Sequence, residues 1–210
     1  MRIDTAHIAR LEALMHDGRR AMLGLVGAPG AGKSTVAQAL ADHFQSRARV
    51  VPMDGFHLAQ AELVRLGRAG RKGARDTFDS AGYVALLRRI RSQAAGETVY
   101  APEFRRDIEE PVAGAIAIES DTPLIVTEGN YLLLQNDPWS AVRELLDEVW
   151  YVDVDDELRR DRLVQRHVRF GRTLEDAKRW MEVTDEPNAR LIAACRERAD
   201  WVLHLDGDGG

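Results

Sequence analysis

Gly27-Ala28-Pro29-Gly30-Ala31-Gly32-Lys33-Ser34 satisfies the pattern G-x-x-x-x-G-K-[ST] in full. Ahead of it, Ala21-Met22-Leu23-Gly24-Leu25-Val26 is a short apolar run that reads as a buried strand. Behind it, Thr35-Val36-Ala37-Gln38-Ala39-Leu40 opens a helix. Glycines let such a loop curl until successive backbone N–H groups face phosphate oxygens, and the helix N-terminus adds its partial positive charge. Lys33 is then placed for the β- and γ-phosphates and the Ser34 hydroxyl for Mg²⁺. The stretch, extended to Thr35, therefore predicts a nucleoside triphosphate site at the carboxyl end of a strand.

Other apolar runs follow the same rhythm. Arg49 to Met53, Leu124 to Glu128, Glu148 to Val152 and Trp201 to Leu205 read as strands, with helical patterns between them. Such alternation predicts an α/β fold, a parallel sheet with helices on both faces. An amphipathic helix precedes it, with Ile8, Leu11, Leu14 and Met15 on one face and an end at Gly18; another spans Ser80 to Ala95. Thr98 to Ala101 and Ala115 to Ile118 are expected to pair as a hairpin, a small insertion at about 98–120 in a single domain of residues 1–210. A Gly-Asp-Gly-Gly tail closes the chain.

Composition narrows the function classes. No run of 18 apolar residues is present, so no membrane span is expected, and Met1-Arg2-Ile3-Asp4-Thr5 lacks the apolar core of an export signal, which suggests a cytoplasmic protein. The lone cysteine, Cys195, excludes an internal disulfide and suits packing in a late helix. A net charge of −5 argues against a dedicated nucleic-acid binder, which carries a basic excess. The expected partner is a small molecule, with a homodimer left open.

A P-loop locates phosphates at the carboxyl ends of the strands, so other strand ends should supply its partners. Two acids stand there: Asp54 after the second strand and Glu128 at the end of the third. Phosphoryl transfer needs a group that orients and deprotonates the attacking hydroxyl and an acid for the Mg²⁺ shell. Asp54 suits the first role and Glu128 the second; helix or turn capping is the plainer alternative for each. Arg159, Arg162, Arg166 and Arg169 step by three, four and three along one helix face. Such a stripe repels itself unless an anion neutralises it, which suggests a lid at about 156–172 closing over the triphosphate, with Arg162 and Arg166 nearest the transferred group. The alternative is a solvated face balanced by Asp155, Asp156, Glu157 and Asp161.

Arg68, Arg71, Lys72 and Arg75 lie in a glycine-bearing segment that either grips a polar or anionic substrate or is a mobile surface loop. His57 follows Asp54 by three residues and is either structural or part of the same pocket. Asn130 and Tyr131, and Tyr100, Phe104, Arg105 and Arg106 in the insertion, are further candidates for the pocket wall. A GTP-dependent switch would need an Asn/Thr-Lys-x-Asp element, and none is present; Asp79-Ser80-Ala81-Gly82 matches D-x-x-G but starts a helix. A non-catalytic ATP-sensing module remains the alternative to an enzyme.

The P-loop, Asp54-Gly55-Phe56-His57, Glu128-Gly129-Asn130-Tyr131 and the arginine-rich helix together resemble the pantothenate kinase, uridine kinase and phosphoribulokinase group of P-loop kinases. The resemblance is nearest to the short bacterial nucleoside/nucleotide kinase family, some members of which are labelled fructose-transport-associated kinases. Arg71 to Asp79, Tyr100 to Arg106 and Asp185 to Ala189 share in it, and it spans nearly the whole chain. It implies a three-layer P-loop NTPase fold with five parallel strands in the order 2-3-1-4-5, and ATP and Mg²⁺ as cofactors. It also implies an acceptor region built from the insertion and residues 55–79, with Asp54 activating the acceptor hydroxyl and Asn188 near the adenine. The acceptor itself is not specified by these motifs.

Overall fold

The computed structural model describes residues 3–16 and 18–205, so the glycine-rich tail lies outside the described residues. In chain order the strands are β1 (Ala21–Val26), β2 (Ala48–Pro52), β3 (Thr98–Arg105), β4 (Glu110–Glu119), β5 (Leu124–Gly129), β6 (Glu148–Val154) and β7 (Trp201–Leu205). The helices are α1 (Thr5–Leu14), α2 (Lys33–Phe44), α3 (Gln60–Arg65), α4 (Ser80–Arg91), α5 (Asp156–Arg169), α6 (Leu174–Trp180) and α7 (Glu186–Ala193). Five strands pair in parallel as β2-β5-β1-β6-β7, which is the expected order 2-3-1-4-5 when sheet strands alone are counted.

β1 is central and buried at every position, because successive side chains serve opposite faces. Met22 and Val26 pack with Tyr83, Val84, Leu87 and Ile90 of α4 and Ile192 of α7. Leu23 and Leu25 pack with Leu11 of α1 and Val36, Ala37, Leu40 and Phe44 of α2. β5 and β6 divide their side chains in the same way, Ile125, Val149 and Tyr151 to the first layer and Val126, Trp150 and Val152 to the second. A P-loop leaving the central strand thus has neighbouring strand ends on both sides. No helix among the described residues is long and apolar enough to cross a membrane.

The insertion is an antiparallel hairpin, as expected, but longer than the two four-residue runs suggest. Pro102 lacks the N–H a regular ladder needs, and the register shifts between Ala101 and Glu103, so β3 bulges there and continues to Arg105. The Pro102 carbonyl presses on Gly55; a Cβ at residue 55 would stand 2.3 Å from its oxygen. This contact ties the hairpin to the turn that carries Asp54. The first helix ends at Leu14 and α4 at Arg91, each short of the expected limit, and Cys195 lies just beyond the end of α7.

One side chain joins the hairpin base to the sheet. The Arg20 guanidinium donates to the carbonyls of Thr122 (2.9 Å), Ile90 (2.8 Å) and Glu119 (2.6 Å) and to Gln93 Oε1 (2.5 Å). Arg20→Ala leaves these partly buried acceptors to water and is expected to cost about 1–2 kcal/mol. At about 2–4 °C per kcal/mol for a chain of this size, thermal unfolding should show a clear fall in Tm. An unchanged Tm would mean that water replaces all four bonds without loss.

Candidate active site

The P-loop occupies the gap between β1 and α2 with two left-handed glycines, Gly30 at φ 83° and Gly32 at φ 92°. Gly30 also meets α5 closely: a Cβ there would lie 2.8 Å from the Arg159 carbonyl oxygen and from Leu163. Lys33 is buried, and its Nζ donates to the carbonyls of Gly27 (2.9 Å) and Ala28 (3.2 Å). Burial pushes its pKa down to about 8, against the opposing pull of Glu128 and Asp54. Gly32 offers no capping side chain, so the first N–H groups of α2 are left to an anion.

Parallel pairing of β2 with β5 sets Pro52 opposite Glu128 and brings the two strand-end acids to one place. Asp54 lies in the short turn Met53–Phe56 that follows β2. Ser34 donates its hydroxyl to Glu128 Oε1 at 2.9 Å. Burial raises the Glu128 pKa, and the neighbouring Asp54 charge raises it further. Arg106 donates to Asp54 Oδ2 at 3.2 Å. A serine hydroxyl, a buried carboxylate and a second acid nearby form a hard oxygen set that fits Mg²⁺. Among the described residues no cluster of three or more acidic, histidine or cysteine side chains could hold an ion alone, so such a metal would share its shell with phosphate oxygens.

The arginine helix is resolved into separate jobs. Arg159 is buried rather than part of an anion-facing stripe: it donates to Asp156 Oδ1 (2.9 Å), Glu186 Oε1 (2.5 Å) and the Pro29 carbonyl (3.4 Å). Arg166 lines the cleft and has no carboxylate partner among the described residues. Burial, then Arg106, lowers its pKa. Arg162 is half-buried and Arg169 exposed, and neither lines the cleft. At 100° per residue Arg166 falls within about 20° of Arg159, whereas Arg162 and Arg169 are turned about 60–80° away, so only the first two share the inward line. In the last turn of α5, His167 Nε2 meets Asp185 Oδ2 at 2.8 Å, and beyond the helix Arg172 stacks 3.9 Å above the Trp180 ring. Asn188 lies in the same wall.

The opposite wall comes from the hairpin and residues 57–78, enclosing a cleft of about 480 Å³. The His57 ring lies 4.0 Å from Phe78 and 4.7 Å from Phe104, and its Nδ1 is 2.8 Å from the Asp54 carbonyl, to which it donates. Burial lowers the His57 pKa. Lys72 and Asn130 line the cleft; Arg71 does not, being engaged by Asp76, and Arg105 is turned outward onto Asp107. Tyr100 is 58% exposed and also lies outside it. The bulge explains the parity: Val99 and Ala101 are the inward residues before Pro102, Phe104 and Arg106 after it. Gln60, His167 and Trp180 join the site without a sequence signal; Phe78 and Asp185 lie in stretches that share in the family resemblance, and Arg106 is among the expected wall residues.

A P-loop lysine and serine facing two strand-end acids, beneath an arginine-bearing helix, define the class of P-loop phosphotransferases. The chain belongs to the phosphoribulokinase / uridine kinase family, whose model matches residues 22–207. A Schizosaccharomyces pombe protein provisionally named a uridine kinase is 35% identical over 211 residues, covering 95% of this chain and 89% of that one. An Aspergillus versicolor protein named as ATP-dependent kinase-like is 43% identical over 125 residues, 57% of this chain and 73% of its own. A crystal structure from Silicibacter sp. TM1040, provisionally described as a fructose transport system kinase, superposes with a TM-score of 0.82 at 34% identity, covering 93% of this chain and 98% of that one. The protein is a phosphotransferase of this family, and the family implies ATP as its donor.

Lys33 must be an ammonium to serve a triphosphate, yet burial lowers its pKa to about 8. Above that pH, nucleotide binding has to take up a proton, so affinity should fall with rising pH, by at most about tenfold per unit. Titration calorimetry in buffers of different ionisation enthalpy should register uptake approaching one proton at about pH 9 and little at about pH 7.5. Lys33→Arg should abolish the uptake; affinity flat across that range would show that Lys33 stays charged.

Proposed function

We propose that the protein transfers the γ-phosphoryl group of ATP to a hydroxyl of a small polar metabolite held between the P-loop and the hairpin. The convergence of Lys33, Ser34, Asp54 and Glu128 on one cleft carries this reading. The triphosphate lies on Gly30 to Thr35 with Lys33 on its β- and γ-oxygens, and Asn188 stands beside the adenine. Ser34 and Glu128 would hold Mg²⁺, which when bound screens the charge of the phosphates. Asp54 accepts the proton of the acceptor hydroxyl, and Arg106, bonded to its Oδ2, keeps the carboxylate aimed. Arg166, with no carboxylate at ion-pair distance among the described residues, stabilises charge on the transferred group from the side of α5. His57, Phe104, Lys72 and Asn130 form the acceptor wall. Relatives labelled for uridine and for fructose transport support an acceptor rich in hydroxyls.

ADP release from Mg-ATP, measured with a panel of pentoses, hexoses, nucleosides and pantothenate and a no-acceptor control, tests the reading. Asp54→Asn is expected to lower kcat by about 10²–10⁴-fold with ATP affinity retained. Lys33→Ala should abolish transfer and also weaken ATP binding, and Arg166→Ala should lower kcat by about 10³-fold. Full activity in Asp54→Asn would remove it as the base. Tight ATP binding with no acceptor stimulating release would favour a nucleotide sensor instead.

A further inference from the structure

Resting on the kinase reading above, we propose that the acceptor is itself an anion, an alcohol bearing a carboxylate or a phosphate monoester, held by Lys72 and Arg106. The basic residues of this wall divide sharply. Arg68 and Arg71 share the Asp76 carboxylate, Arg75 reaches the Asn136 amide and Arg105 is paired with Asp107, and none of the four lines the cleft. Lys72 alone of the segment 65–75 lines the cleft as a cation, and among the described residues no carboxylate lies within ion-pair distance of it. Its ammonium donates instead to the backbone carbonyl of Glu109. Glu109 adopts φ 53°, a left-handed conformation uncommon for a non-glycine residue, and so turns a carbonyl rather than its carboxylate to the lysine. The hairpin turn therefore holds Lys72 in place without cancelling its charge.

Arg106 complements it. One guanidinium nitrogen is on Asp54, and among the described residues the other two have no hydrogen-bond partner. The fork can thus hold the base and a second anion together, which puts the reacting hydroxyl and the acceptor's anionic group within the span of one guanidinium. Lys72 and Arg106 also flank one ring, 5.1 Å and 5.9 Å from the Phe104 centroid. Two cations gathered at one aromatic side chain repel each other, and an anion between them relieves the repulsion. His57, kept neutral by burial, adds a flat face and no opposing charge. The carboxylates on this side are Asp54, already engaged by Arg106, and Glu109, whose backbone rather than carboxylate meets Lys72, so the Lys72 ammonium is the cation left for a small anion to pair.

The test uses the intact protein with Mg-ATP and matched triples of neutral alcohol, carboxylate and phosphate monoester: glycerol, glycerate and glycerol 3-phosphate; ribose, ribonate and ribose 5-phosphate. Two readouts are taken, acceptor-stimulated ADP release and calorimetric binding of each compound to the ADP-loaded protein. In at least one triple an anionic member should exceed its neutral parent by about 10–100-fold in kcat/KM and in affinity, the size of one or two charge-assisted bonds. Whether the carboxylate or the phosphate wins identifies the group. Lys72→Gln should raise KM for that acceptor by about tenfold or more while the KM for ATP stays within about twofold, and Lys72→Arg should recover most of the loss. A neutral best acceptor whose KM is unmoved by Lys72→Gln would overturn the anionic acceptor and leave the kinase standing. Lys72-dependent binding of anions without turnover would keep the anion site and overturn the kinase. No binding by any anionic member would overturn the site outright.

Discussion

The Arg159 guanidinium, with a side chain only 3% exposed, sits where three parts of the molecule meet. It bonds Asp156 in its own helix, Glu186 at the start of α7 and the Pro29 carbonyl in the P-loop. A buried charge deprived of its partner is costly, about 3–5 kcal/mol, so the position of α5 over the loop is strongly specified. The same helix turn supplies the carbonyl that lies against Gly30, which excludes any side chain there. With its first turns fixed, α5 carries Arg166 over the cleft two turns later and sets His167 against Asp185, one residue before Glu186. The π-helical turn Met181–Asp185 ends where Asp185 meets His167 and the next residue, Glu186, meets Arg159 two turns earlier on α5. Nucleotide loop, overhanging arginine and the wall containing Asn188 are thus one braced unit.

Inside that brace the charges are only partly satisfied. Lys33 is folded back on the carbonyls of its own loop, and Glu128 has a serine hydroxyl and no cation at ion-pair distance among the described residues. The Asp54 charge adds to the cost of ionising Glu128, and Arg106 adds to the cost of charging Arg166. Like charges kept close at the expense of stability are characteristic of sites whose neutralising partner arrives with the ligand. On the proposed reading a triphosphate would meet Lys33 and Arg166, and a cation held by Glu128 would meet the remaining demand.

What was legible in the sequence is what depends on contiguous residues. The P-loop, the five strands and the acids at their ends are local patterns, and parallel packing leaves few ways to arrange them. The strand order came with the family resemblance, not with periodicity. The arginine helix shows the limit. A three-four-three spacing places four arginines broadly on one face, yet the inward line is narrow enough to separate Arg159 and Arg166 from Arg162 and Arg169. Nor does local spacing show that Glu186, 27 residues away, will claim the first of them. In the hairpin, a single bulge at Pro102 reverses which residues face inward, exchanging Arg105 for Arg106 and leaving Tyr100 outside. Basic residues of the 65–75 segment look alike in sequence, and contacts with Glu62, Asp76 and Asn136 turn Arg65, Arg68, Arg71 and Arg75 away while Lys72 lines the cleft.

The two halves of the cleft follow different rules, and the turn at Asp54 joins them. The phosphate half is dictated by strand ends and backbone amides, which no surface variation readily alters. On the proposed reading the acceptor half is built by the insertion, so it is where discrimination between alcohols would be built. These halves cannot drift independently, because the Pro102 carbonyl rests on Gly55 while Arg106 of the same hairpin grips Asp54. Any change that shifts the hairpin to suit another acceptor moves the proposed base with it. Specificity and catalysis are coupled here through one backbone contact and one ion pair, which confines tolerated variation to side chains that reshape the wall without moving the strand beneath it.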